Sequence, residues 1–139
     1  MRIYDLGHRG ECRSERGEQI ASMSWLKEFY PDYWALTMHC PSETKGTTSH
    51  HAIRAKEGVK AGIPDIIHLG GSGRYRVGMF EMKRQDRTKS KVTADQRRIL
   101  ELAEASGAFC AICYGFEAFK MAFADYQTGR KTPPFMAGM

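Results

Sequence analysis

Hydrophobic residues recur at helical spacing in three stretches of the chain, which predicts three amphipathic helices. The first runs from about residue 14 to Tyr30 and ends before Pro31, since proline cannot continue a helix. The second begins at a capping-box sequence, Thr93-Ala94-Asp95-Gln96, and ends before Gly107. Its inward-facing residues are expected to be Ile99, Leu102 and Ala103. The third has the clearest apolar face, made of Phe116, Phe119, Phe123 and Tyr126.

Shorter apolar runs predict four strands, at about residues 34–39, 65–69, 75–83 and 108–114. Between the first two, Pro41 to His51 is rich in Ser, Thr, Gly and His, which predicts a loop. The order is then helix, three strands, helix, strand, helix (α-β-β-β-α-β-α). That order predicts an α/β fold with a mixed central β-sheet flanked by helices.

The length of 139 residues favours a single domain. We expect its core at about residues 14–128, with residues 1–13 and 129–139 flexible. No stretch has the length of a membrane span, and the first residues lack the apolar run of a signal peptide. We therefore expect no membrane partner and a cytoplasmic location.

Positive charge is concentrated in residues 83–98, where seven Lys and Arg stand against Asp86 and Asp95. That excess of five equals the net charge of the whole chain, +5. A solvated loop explains such a run as well as a nucleic-acid contact does. Because the run begins beside the candidate site described below, we interpret it as a surface for DNA phosphates. The candidate DNA-binding residues are Arg84, Arg87, Lys89, Lys91, Arg97 and Arg98.

The four cysteines do not predict a zinc site. Only Cys110 and Cys113 have C-x-x-C spacing, and they lie within a predicted buried strand. Residues three apart on a strand point to opposite faces and cannot share an ion without distortion. Buried, reduced thiols are the expected state.

Two carboxylates and one ammonium are expected to meet where two neighbouring strands pair. Along the third strand, Glu81 and Lys83 share a face. In a hairpin whose paired residue numbers sum to 146, Asp65 lies opposite Glu81, with their Cβ atoms about 5 Å apart. Taken singly, Asp65 is explained as a turn residue after Pro64, and the other two as an exposed ion pair. Together they indicate a site.

Two carboxylates at this separation repel each other unless a cation lies between them. A hard divalent ion suits the pair, because Mg²⁺ commonly binds one or two carboxylates together with waters and phosphate oxygens. The expected cofactor is therefore Mg²⁺ or Mn²⁺, and the expected chemistry is hydrolysis of a phosphodiester.

At these residues the chain resembles the PD-(D/E)xK nuclease superfamily. The resemblance rests on Gly62-Ile63-Pro64-Asp65, then Glu81-Met82-Lys83, then Gln96. More narrowly the chain is similar to the VRR-NUC family in its small, stand-alone, phage-type form. Gly58-Val59 and the glutamate of the leading helix, Glu18, belong to the same resemblance, which implies a restriction-endonuclease-like core.

The resemblance also implies roles for the site residues. Asp65 and Glu81 would bind the metal, with the Met82 main-chain carbonyl completing the set, and Lys83 would orient the attacking water. Glu18 would reach the same ion, a second ion or a metal-bound water. Gln96 would lie at the pocket edge, although position N3 of a capping box explains it without catalysis. His50 and His51 either contact DNA or belong to a solvated loop.

The implied activity is that of a structure-selective endodeoxyribonuclease acting on branched DNA, in particular Holliday junctions, as a homodimer. Candidate dimer-interface residues are the aromatic residues of the last helix, for which core packing is the alternative. A flap, nicking or restriction-like endonuclease is a second possibility. A third is a non-catalytic DNA-binding protein that keeps the nuclease fold.

Overall fold

A five-stranded mixed sheet forms the centre of the molecule. The computed structural model describes residues 1–41 and 48–129, with side chains given for residues 1–41 and 52–129. The strands are β1 (Arg2–Tyr4), β2 (Thr37–His39), β3 (Ile66–His68), β4 (Gly78–Lys83) and β5 (Phe109–Tyr114). Their order across the sheet is β1-β5-β4-β3-β2. Strands β1 and β4 run parallel to β5, whereas β3 is antiparallel to β4 and β2 is antiparallel to β3.

Helices lie on both faces of this sheet. They are α1 (Glu15–Phe29), α2 (Pro31–Ala35), α3 (Thr48–Lys56), α4 (Ala94–Ala105) and α5 (Phe116–Thr128), with a short 3-10 turn at Arg87–Lys89. On one face, α1 and α5 pack with Phe80 and Met82 in the larger core cluster. On the other face, Leu100 of α4 packs against Cys110 and Ile112 of β5. The α/β architecture predicted from the order of elements is confirmed.

The sheet register agrees with the predicted one. Ile66 pairs with Phe80, Ile67 with Met79 and His68 with Gly78, and each pair of numbers sums to 146. Continued by one residue before the start of β3, this register brings Asp65 opposite Glu81. The register therefore places the two carboxylates on the same face of the sheet.

The cysteines and the aromatic residues of α5 are mostly core residues. Cys110 and Cys113 belong to different core clusters on opposite faces of β5, and all four cysteines are free thiols. Phe119, Phe123 and Tyr126 are fully buried within the domain, so they are not available for a dimer interface. Core packing, the alternative to a dimer contact, is the correct explanation for these three residues.

The N-terminus differs from the prediction. Residues 2–4 form an edge strand parallel to β5, and Tyr4 is completely buried with its hydroxyl 3.0 Å from Asp125 Oδ2. The expectation that residues 1–13 are loosely held was therefore wrong for this strand. A three-residue strand with one buried aromatic residue is too short to produce a periodic signal, and its partner lies more than a hundred residues away in the chain.

Three local predictions also need correction. Pro31 ends α1 but also begins α2 as its first residue, so the first predicted strand shortens to β2. Part of the predicted loop is helical, namely α3 from Thr48, while residues 42–47 lie outside the described residues. On α4 the buried residue is Leu100, and Leu102 is 56% exposed. The inward face of α4 therefore contains Leu100 and not Leu102, while Ala103 packs against the same core cluster as predicted.

Within the described ranges, no helix combines the length and the apolar character required to span a membrane.

Candidate active site

Asp65 is held at both its main chain and its side chain. Its carbonyl accepts hydrogen bonds from the Cys40 main-chain N–H and from His39 Nδ1, both at 2.9 Å. Its carboxylate oxygen Oδ2 accepts a 2.9 Å hydrogen bond from the Met82 main-chain N–H. The Asp65 carboxylate thus supplies an acceptor for β4 immediately before β3 begins. These contacts fix the carboxylate against the β4 strand that carries Glu81.

Glu81 is buried, with a relative exposure of 2%. Its Oε1 accepts a hydrogen bond of 2.8 Å from Gln96 Nε2. Its Oε2 is also buried and accepts no hydrogen bond from a donor within the described part of the chain, although the Asp65 and Glu81 carboxyl groups are close enough to share a proton. Burial, together with the negative charge of Asp65, raises the pKa of Glu81 to about 9. Burial also raises the pKa of Asp65. Without a cation, the site does not favour two ionised carboxylates at once.

Lys83 is buried on the same face of β4, with a relative exposure of 3%. Its Nζ donates hydrogen bonds to the Lys91 carbonyl at 2.8 Å and to Gln96 Oε1 at 3.1 Å. It also lies 3.8 Å from Glu81 Oε1 and 3.6 Å from Glu15 Oε1. Two amide oxygens and two carboxyl oxygens therefore surround the ammonium and restrict where it can point.

Gln96 connects the acid and the ammonium. Its Oε1 accepts hydrogen bonds from the Thr93 main-chain N–H at 2.9 Å and from Lys83 Nζ. Both of those groups can only donate, so the orientation of the amide is determined and Nε2 must be the atom that donates to Glu81. The capping box and the site contact are both present in the same side chain. The two explanations that the sequence left open are therefore not alternatives.

The main chain of Met82 lies beside the Asp65 carboxylate. The main-chain N–H of Met82 points away from β5, towards the carboxylate of Asp65. In a strand, the N–H and C=O of one residue point to the same side. The Met82 carbonyl therefore faces the side of β4 on which the Asp65 carboxylate lies.

Glu18 contacts the start of α5 and the side chain of Arg13. It is buried, its Oε2 accepts a 2.6 Å hydrogen bond from the Phe116 main-chain N–H, and its Oε1 lies 3.4 Å from Arg13 Nη1. Helix α5 follows Gly115, which has no side chain to cap it, so Glu18 supplies the missing acceptor from α1. Within the described residues, no three His, Cys, Asp or Glu side chains form a group that would hold a metal ion. Glu18 is thus placed at the start of α5 and not in a three-carboxylate cluster.

Glu15 is the residue that sequence reasoning missed. It lies one turn before Glu18, and its half-exposed side chain approaches Lys83 to 3.6 Å. The signal in the sequence that could have found Glu15 was the position of the N-terminus of α1. Ser14 caps α1 through a hydrogen bond from the Gly17 N–H, so Glu15 and Glu18 both lie in the first turn. The sequence resemblance named Glu18 for the site, whereas the glutamate that approaches Lys83 in the structure is Glu15.

Three of the six predicted DNA-binding cations hold the N-terminal segment. The guanidinium of Arg84 donates to the Arg13 and Cys12 carbonyls at 3.1 and 3.2 Å. Lys89 Nζ donates to the Gly10 carbonyl at 3.0 Å, and Arg87 Nη1 lies 3.7 Å from Asp5 Oδ2. These side chains connect residues 5–13 to the segment that follows β4.

Asp86 reinforces the same connection. It accepts a 2.8 Å hydrogen bond from the Gly10 N–H, and hydrogen bonds from Gly10 and Thr88 hold its pKa well below the usual range.

The remaining predicted cations, Lys91, Arg97 and Arg98, are exposed. Lys91 and Arg97 are close to the site along the chain, since the Lys91 carbonyl contacts Lys83 and Arg97 follows Gln96. The side chains of His50 and His51 lie outside the described residues.

No protein-family model matches this chain, and no curated protein matches it. Among solved structures, a VRR_NUC domain protein superposes with a TM-score of 0.72 over 88% of this chain and 100% of that chain, at 21% sequence identity. This chain has the fold of a VRR_NUC domain protein. The fold expected from the sequence resemblance is thereby confirmed, including the mixed sheet of the restriction-endonuclease-like core.

Proposed function

We propose that this protein is a nuclease of the VRR-NUC family that hydrolyses DNA phosphodiesters with a divalent metal ion, Mg²⁺ or Mn²⁺. The observation that carries the proposal is the convergence of Asp65, Glu81 and Lys83 at the start of β3, with Glu81 Oε2 buried and without a hydrogen-bond donor in the described residues. A buried carboxylate oxygen without a partner is costly unless a ligand completes it.

The residues present fit a hard divalent ion. Asp65, Glu81 Oε2 and the Met82 carbonyl would hold it, since all three are oxygen ligands and Asp65 lies opposite Glu81 and contacts the Met82 main chain. Two carboxylates without a third suit Mg²⁺, which takes its remaining ligands from water and from substrate phosphates. A bound divalent ion supplies a Lewis acid for the phosphoryl oxygen and lowers the pKa of a coordinated water.

The protein's own residues would prepare this site in two ways. Gln96 holds Glu81 Oε1, so that only Oε2 remains for a ligand. Lys83, oriented by the Lys91 carbonyl and by Gln96, would place positive charge where negative charge develops in the transition state and would orient the attacking water. Glu15 approaches the same ammonium from α1 and would contribute to its orientation.

The substrate would be held through its backbone. Lys91, Arg97 and Arg98 are exposed and flank the site, and such cations contact phosphates without reading bases. We therefore propose selection by DNA structure, with branched DNA and Holliday junctions first among the substrates and a homodimer making symmetric cuts. Products with 5′-phosphate and 3′-hydroxyl ends follow from the family resemblance.

A cleavage assay tests this proposal. Mobile four-way junction, flap, nicked and linear duplex DNAs are incubated with the protein in Mg²⁺, in Mn²⁺ and in EDTA, and the oligomeric state is measured by light scattering. We expect metal-dependent cleavage that is fastest on the junction. Faster cleavage of flap or nicked DNA would favour those activities. Tight binding to DNA without cleavage in either metal would favour a non-catalytic DNA-binding protein.

A further inference from the structure

Gly62, the first residue of the Gly-Ile-Pro-Asp stretch, lies directly against the first turn of α4. Its φ is +82°, a conformation that residues with a side chain rarely adopt. A Cβ atom placed on Gly62 would lie 2.6 Å from the carbonyl carbon of Asp95, 2.7 Å from its oxygen and 2.8 Å from its Cβ. The first two are backbone atoms, which cannot rotate away. The absence of a side chain at Gly62 is therefore what allows this close approach.

The two segments that meet at Gly62 carry different parts of the candidate site. The segment from Gly62 leads within three residues to Asp65. Asp95 is the neighbour of Gln96, whose side chain contacts both Glu81 and Lys83. The distance between these segments therefore determines how Gln96 sits relative to the two β4 residues.

We infer that Gly62 is a positioning residue of the proposed nuclease site, which sets the position of Gln96, and through it of Glu81 and Lys83, by allowing α4 to approach the Asp65 segment. This inference rests on the proposed function for its catalytic consequence. A methyl group at residue 62 displaces the first turn of α4, and a displacement of about 1 Å in a catalytic group is enough to cost up to a hundredfold in rate.

Gly58 provides a matched control. Its φ is +99°, so a side chain there meets the same kind of backbone strain, but a Cβ on Gly58 would have no neighbour within 4 Å. Gly58→Ala therefore reports the cost of the backbone conformation alone. Gly62→Ala reports that cost together with the contact to α4.

The test is a double-mutant cycle measured by cleavage kinetics. Gly62→Ala and Gly58→Ala are each made in the wild-type chain and in a Gln96→Ala background. We expect Gly62→Ala to lower kcat by about tenfold to a hundredfold with little change in KM, and to have less than about a twofold effect once Gln96 is absent. Gly58→Ala should leave kcat unchanged in both backgrounds. An equal loss from Gly62→Ala in both backgrounds would overturn the inference.

A second measurement does not depend on cleavage and separates this inference from the proposed function. The side-chain amide of Gln96 is observed by ¹⁵N NMR in the metal-free protein. We expect its resonance to shift and its hydrogen exchange to become faster in Gly62→Ala but not in Gly58→Ala. An unchanged Gln96 amide in folded Gly62→Ala would contradict the positioning role even if the wild type cleaves DNA.

Gly62→Asn is the second variant, because asparagine tolerates positive φ better than alanine but still carries a Cβ. It is compared with Gly58→Asn by circular dichroism, NMR and kinetics. Folded Gly62→Asn with a shifted Gln96 amide supports the inference. Failure of both Gly62 variants to fold, with both Gly58 variants folded, would assign Gly62 to folding alone and overturn it.

Discussion

The side-chain amide of Gln96 donates a 2.8 Å hydrogen bond to Glu81 Oε1, and the other carboxylate oxygen of Glu81 is buried without a hydrogen-bond donor in the described residues. The same amide caps α4 and accepts a hydrogen bond from Lys83. A single side chain therefore links helix formation to the arrangement of the site, and the two effects can be separated by substitution.

Gln96→Ala should lose both the cap and the site contact, whereas Thr93→Ala should lose only the cap. Because a helix cap contributes about 1 kcal/mol, we expect Thr93→Ala to lose about that free energy of unfolding in urea. Gln96→Ala should lose more, since it also removes the hydrogen bonds to the buried side chains of Glu81 and Lys83. Only Gln96→Ala should also lose DNA cleavage, by about tenfold or more, since it alone frees Glu81 and Lys83. Equal cleavage by the two variants would show that Gln96 serves only the helix.

Lys83→Ala should abolish metal-dependent cleavage and preserve DNA binding. The ammonium stabilises developing negative charge, and removing one such group typically costs a factor of about 10²–10³ in kcat. Lys27→Ala is the control, because it removes an exposed lysine in the last turn of α1 that has no part in the proposed site. Cleavage rates and equilibrium binding are measured on the same junction. Cleavage by Lys83→Ala at the wild-type rate would refute the role given to this lysine.

Glu81→Gln should stabilise the metal-free protein at neutral pH and above. The folded-state pKa of Glu81, about 9, exceeds its ordinary value of 4.5, so the folded protein holds a proton that the unfolded chain releases. The free energy of unfolding should therefore fall as pH rises from about 4.5 towards 9. Glutamine cannot ionise, so Glu81→Gln should show a flatter profile and gain about 1–2 kcal/mol near pH 7.

This profile is measured by urea unfolding in EDTA across pH 4–9, with Glu117→Gln, a residue on the exposed side of α5, as the control. A wild-type profile as flat as that of Glu81→Gln would mean that Glu81 ionises freely in the folded state.

Glu15 and Glu18 should respond differently to truncation. Glu18→Ala leaves the buried Phe116 N–H without its acceptor, and we expect a loss of about 2–3 kcal/mol of stability. Glu15→Ala removes a half-exposed group that approaches Lys83, so stability should change by less than about 0.5 kcal/mol while kcat falls.

Thermal unfolding and cleavage kinetics are measured for both of these variants, and Glu18→Gln serves as the control because its amide oxygen still accepts from Phe116. A folded and stable Glu18→Gln without any cleavage would instead place Glu18 in the catalytic machinery.

The basic residues should divide into two functional groups. Arg97→Ala and Arg98→Ala should each weaken DNA binding and reduce the slope of log affinity against log salt by about 1, as expected for lost phosphate contacts. Arg84→Ala should mainly lower stability, because its guanidinium is already bound to the Cys12 and Arg13 carbonyls. Binding is measured by fluorescence anisotropy from about 50 to 200 mM salt. A full unit of slope lost in Arg84→Ala without loss of stability would contradict this division.

Part of the site could be predicted from the sequence, because its geometry is set by residues that are close together in the chain. Alternation along a strand placed Glu81 and Lys83 on one face, and the turn before β4 determined the register that brings Asp65 opposite Glu81. The capping box at Thr93 and Gln96 was likewise readable, since all of its hydrogen bonds lie within four residues.

Other features depend on partners far away in the chain. The strand at Arg2–Tyr4 exists because β5 offers it an edge, and Arg84 is occupied because residues 10–13 pass beside it. The choice between Glu15 and Glu18 depends on how α1 is rotated against β4 and α5, which its own sequence does not specify.

By itself, therefore, the sequence determined the order of the main helices and strands other than β1, α2 and α3, the register of the hairpin and the candidate residues of the site. Only the tertiary structure decided which cations remain free, which glutamate meets Lys83, and that Gln96 joins the acid to the ammonium. The physical reason is that local hydrogen bonding and side-chain alternation are set by adjacent residues. Contacts between distant segments are set by how the whole chain packs.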